Sequence, residues 1–69
     1  MSSNLDEKEL QIRLECKEDI LTELLYRALR AKSATEKEIM TQMAIKAAGG
    51  LSENAVERSK DYAKFRARQ

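Results

Sequence analysis

Residues 10 to 29 hold most of the large aliphatic side chains of this chain, and they recur with a helical period. Wound at ~100° per residue, Leu10, Leu14, Ile20, Leu21, Leu24, Leu25, Ala28 and Leu29 share one broad sector, the mark of an amphipathic helix whose apolar face must be buried. Within that stripe Leu10, Leu14, Leu21, Leu24 and Ala28 follow alternating spacings of four and three, interrupted only by Lys17. Such a seam is what two helices share in a coiled coil.

The surrounding sequence extends the helix in both directions. Asn4 and Glu7 have capping-box spacing, and Asp6, Glu7 and Glu9 put negative charge where the helix dipole favours it. Arg27, Arg30 and Lys32 supply the opposite charge at the far end, so the first helix is expected over about 5–32. Thr35 and Glu38 repeat the capping spacing and open a second helix over about 36–48, with an apolar stripe of Ile39, Met40, Met43, Ala44 and Ala47. Gly49-Gly50 ends it. Ser52 then caps a third helix over about 53–67, whose apolar side (Ala55, Val56, Tyr62, Ala63) is thin.

These elements make one all-α domain spanning 1–69, a long N-terminal helix against two shorter ones in hairpin fashion. Proline is absent, and 42% of residues are hydrophobic and 36% charged, a balance that favours helices over sheets. A chain this short buries only ~60% of its unfolded surface and usually needs a disulfide, a metal or a second subunit. With Cys16 the sole cysteine and no histidine, a second copy is the remedy left. A homodimer on Leu10, Leu14, Leu21, Leu24 and Ala28 is expected, because helix 2 spans half of helix 1 and helix 3 offers mostly alanine to the rest.

The run LQIRLECK at 10–17 also alternates apolar and polar residues, the period of a strand. Followed by two helices, it resembles the ribbon-helix-helix family of dimeric DNA-binding proteins over residues 10 to 48. The resemblance implies a short strand at 10–16, with Gln11 and Arg13 reading bases in the major groove and Ser33 and Thr35 approaching phosphate. Leu, Gln, Glu, Arg and Lys favour a helix there, with Ile12 the only β-branched residue of the run, so the all-helical reading comes first.

Little in the sequence can do chemistry. There is no Gly-rich phosphate loop, no acid–base pair and no zinc ligand set, so neither catalysis nor a cofactor nor a metal is expected. Cys16 has no histidine to act as its base and reads as a small hydrophobe. Glu15, Glu18, Asp19 and Glu23 read as a solvated face.

Binding is the remaining class. Leu5, Ile12, Cys16 and Tyr26 project from the side of helix 1 opposite its main stripe, and Lys60, Lys64 and Arg68 form a basic stripe on helix 3. The first set suits an apolar contact with a larger protein, the second an acidic one. The net charge of +1 gives no global attraction to nucleic acid, and no apolar run is long enough to span a bilayer. The expectation is a small cytoplasmic interaction module (adaptor, chaperone-like binder or inhibitor) acting as a homodimer, with no membrane partner, and DNA a partner only under the ribbon-helix-helix reading.

Overall fold

The computed structural model describes residues 3–69, and the side chains from Glu7 onward. It is all-α, with α1 (Ser3–Leu29), α2 (Ala34–Ala47) and α3 (Glu53–Ala67). Residues 10–16 are helical, and no strand occurs among the described residues, which removes the ribbon alternative. The local pairings suit a helix: Arg13 donates to Glu9 at 2.7 Å and Gln11 to Glu15 at 3.3 Å, each across four residues.

The boundaries differ from expectation where side-chain capping decides them. Asn4, offered by its spacing as a cap, already lies within α1. At the other end α1 stops at Leu29 rather than near residue 32. Arg30 N–H still reaches the Tyr26 carbonyl at 3.1 Å, Ala31 N–H tightens onto Ala28 at 3.3 Å, and Ser33 is extended (φ −141°, ψ 158°). Ser33, not Thr35, caps α2, its hydroxyl accepting from Glu36 N–H at 3.1 Å. Ser33 and Glu36 have the same three-residue spacing as Thr35 and Glu38, and the serine two residues earlier takes the role. Ser52 caps α3 in the same way, accepting from Ala55 N–H at 3.1 Å.

Between α2 and α3 the chain reverses through Ala48, Gly49 and Gly50. Gly50 has φ +87°, a left-handed conformation that a side chain disfavours. The Lys17 ammonium donates to the Gly49 carbonyl at 2.7 Å, tying this turn to the middle of α1. α2 therefore runs antiparallel to α1. α3 runs parallel to it, since Arg58 and Ser59 meet Glu18 while Arg66 meets Glu23 further along.

Both short helices pack on α1, and neither packs on the other. The buried apolar set is correspondingly small: Leu21, Ala28, Ala44, Ala55 and Ala63. On α3 the buried positions are Ala55, Ser59 and Ala63, four residues apart, and their small side chains let the two backbones approach. Ser59, 1% exposed, donates its hydroxyl to the Ala55 carbonyl at 3.0 Å and lies 3.4 Å from the Glu18 carbonyl of α1.

The result is elongated. Its extents are 48 × 23 × 16 Å and its radius of gyration is 13.9 Å, against ~11 Å expected for a compact domain of this length. At 1.5 Å per residue α1 measures about 40 Å and its two companions little more than half of that. Residues 7–13 are consequently exposed all round, a tip of α1 that the shorter helices do not reach.

Candidate functional site

The stripe expected to pair two copies is divided in the structure. Leu21 and Ala28 are buried within the chain's own fold, Leu14 and Leu24 are half-buried, and Leu10 is 57% exposed. Over most of its length the seam thus serves the chain's own core, because α2 and α3 straddle it. Only its N-terminal end stays open.

The opposite strip of α1 is also divided. Ile12 is 60% exposed and Cys16 is exposed, as a contact surface requires. Leu5 lies outside the described side chains. Tyr26 is half-buried and held between cations: the Arg66 guanidinium sits 4.3 Å from its ring centroid and that of Arg30 5.8 Å. Tyr26 is therefore part of the α1–α3 joint rather than a free anchor.

That joint is a polar clasp which spacing alone did not reveal. Arg58 reaches Glu18 with two nitrogens, at 3.0 and 3.4 Å. Arg66 donates to one oxygen of Glu23 at 2.9 Å, while Arg27 donates to the other at 3.2 Å. The Arg66 hydrogen bond, more than that of Arg27, holds the Glu23 carboxyl below its ordinary range, and the same bond raises Arg66 further. Arg58 and Arg66 flank the basic stripe along α3, so part of the positive charge of that helix is already answered by α1.

Lys60, Lys64 and Arg68 remain exposed, with Lys60 3.5 Å from Glu57; Arg68 follows the last turn of α3 as its C-cap. Lys60 and Lys64 stand beside a groove whose floor is Leu25, Ala28 and Leu29 of α1, with Lys37 and Thr41 of α2 along its other bank. The groove holds about 170 Å³, room for at least one leucine-sized side chain. It exists because α2 and α3 stand apart on α1.

On the outer face of α2, Ile39 and Met43 are exposed, although the stripe placed them in the core. Ala44 is the buried residue there, with Met40 and Ala47 half-buried. Tyr62 of α3 was likewise expected to pack inward, and instead is 61% exposed with Phe65, 58% exposed, next to it. Their ring centroids are 6.5 Å apart.

For the nucleic-acid alternative, Gln11 and Arg13 lie on helix and are engaged by Glu15 and Glu9. Ser33 spends its oxygen on capping α2, and Thr35 falls within that helix. Gln11 and Arg13 thus do not form the ribbon that base reading required, while Ser33 and Thr35 stand at the start of α2, where the phosphate role placed them. Among the described residues, no group of three or more His, Cys, Asp or Glu side chains could hold a metal ion, and no helix is long and apolar enough to cross a membrane.

No protein-family model matches the chain, and no curated protein or solved structure matches it.

Proposed function

We propose that this protein is a small cytoplasmic interaction module that works as a homodimer and binds a larger protein, without catalysis, as an adaptor, chaperone-like binder or inhibitor. One observation carries the reading: the chain leaves more surface exposed than a compact folded monomer of its mass does, with large apolar side chains among what is exposed. The chain exposes 5569 Å², whereas the scaling for folded monomers gives ~4,400 Å² at 7.9 kDa. The surplus, about 1,200 Å², exceeds the ~800 Å² that each partner contributes to a standard interface.

The uncovered side chains are also of the kind that anchor interfaces. Leu10, Ile12, Ile20, Leu29, Ile45 and Phe65 are each at least half exposed. Burying a Leu or Ile is worth ~1.5–3 kcal/mol, so covering even a few rivals the stability of a small domain. Self-association covers the open end of the α1 seam and the groove, and the Ile12–Cys16 side of α1 stays available to a larger partner.

Sedimentation equilibrium on the full chain tests the first half of this reading. A dimer at micromolar concentration is expected, and a stably folded monomer throughout overturns it. For the second half, Ile12→Ala is expected to leave thermal stability within ~0.5 kcal/mol and to abolish partner capture. A loss of stability instead assigns Ile12 to internal packing.

A further inference from the structure

We infer that the homodimer is antiparallel: the acidic N-terminal tip of α1 in each copy, led by Leu10, occupies the lysine-flanked groove between α2 and α3 of the other. This rests on the homodimeric reading above and specifies its interface.

Three observations converge on that occupant. The groove has an apolar floor (Leu25, Ala28, Leu29) with room for a large aliphatic side chain, and lysines on both banks, Lys37 on one and Lys60 and Lys64 on the other. Lys37 and Lys64 make no ion pair among the described residues. Such a slot selects an apolar helix face flanked by carboxylates.

The chain carries such a face at its other end. Leu10 continues the line of Leu14 and Leu21 along α1 past the reach of the shorter helices, and is 57% exposed. Around it the sequence places Asp6, Glu7 and Glu9 against Lys8 and Arg13, a net of one negative charge, and Arg13 already answers Glu9 at 2.7 Å. Because α3 runs parallel to α1, its basic end lies beside the C-terminal half of α1, where Arg27 and Arg30 add further positive charge. The subunit is thus a bar 48 Å long, acidic at one end and basic at the other.

Symmetry then selects the arrangement. A two-fold axis across the middle of α1 sets each tip on the opposite basic end, and the two contacts are identical and closed. A parallel pair would align like charges at both ends. The same contact made in one direction only would leave a free tip and a free groove, and would propagate into a filament.

Charge exchange tests this in the full chain. Lys60→Glu with Lys64→Glu, or Glu7→Lys with Glu9→Lys, is expected to weaken dimerisation by about tenfold, read by sedimentation equilibrium at low salt. All four substitutions in one chain are expected to restore it. These positions are exposed, and circular dichroism checks that the fold is unchanged. A second measurement uses a Cys16→Ser background. Oxidising a mixture of Glu9→Cys chains and Lys64→Cys chains is expected to link unlike chains, whereas linkage of Glu9→Cys chains to each other marks a parallel pair.

A wild-type dimer insensitive to both double substitutions, or not rescued by the fourfold exchange, or linked in parallel, overturns this arrangement and leaves the homodimer standing. A monomeric wild type overturns the homodimer and this arrangement together, and returns the groove to an acidic helix of another protein.

Discussion

Ala63 and Ser59 set how near α3 comes to α1. Ala63 is fully buried, so replacing it with leucine must push the helices apart or force strained rotamers. Ala63→Leu is expected to cost about 1–3 kcal/mol, measured by urea unfolding. Ser59→Ala is expected to be nearly neutral, since the Ala55 carbonyl it releases keeps the helix's own hydrogen bonding. Glu23 gives a pH-dependent readout. Its carboxyl is depressed in the folded state, so its contribution to stability is fully present above the ordinary carboxylate range and is lost as pH falls through the folded value. In an NMR titration Arg66→Gln is expected to move Glu23 back toward that range further than Arg27→Gln does, and equal shifts would contradict the ranking of the two arginines.

At the level of helices, capping is the sharpest expectation. Ser33→Ala is expected to cost about 1 kcal/mol, and Thr35→Ala less than ~0.5, both by thermal unfolding. The reverse order would move the start of α2 to Thr35. The three helices, the glycine stop and the Ser52 cap were legible in the residues, because those signals act within a few positions along the chain. The faces were less so. The 3.6-residue period marks a sector without saying which of its members a neighbour reaches: Leu21 and Ala28 were reached, Leu10 was not, and in α2 Ala44 is buried while Ile39 and Met43 face out. Serine does not register as apolar, so the ridge of Ala55, Ser59 and Ala63 was hidden in a helix that looked merely poor in hydrophobic residues. The clasp of Glu18 with Arg58 and of Glu23 with Arg66 joins residues 40 and 43 apart, beyond the reach of local spacing.

For the molecule as a whole, the surplus of exposed surface and the large apolar side chains within it argue for company, and its charge asymmetry argues for which kind. If opposite ends of two copies meet, raising ionic strength is expected to weaken the dimer until apolar contacts alone remain, since exposed charges are screened over ~10 Å at moderate salt. Salt-independent sedimentation would instead point to an interface made by the leucines alone. The partial roofing of α1 also explains why the groove could not be read from the residues: it depends on α2 and α3 standing apart, a property of three dimensions with no counterpart in the order of amino acids.

That separation has a further consequence, for dynamics. Two flanking helices joined only by a short reverse turn and a common backbone need not melt as one unit. Amide hydrogen exchange should therefore resolve two protection levels, one for the α2 leaf and one for the α3 leaf, with the latter slower because arginine clasps pin it to its support. Lodging another chain between the leaves would merge the two levels into one, so that the exchange pattern itself would report whether the cleft is occupied.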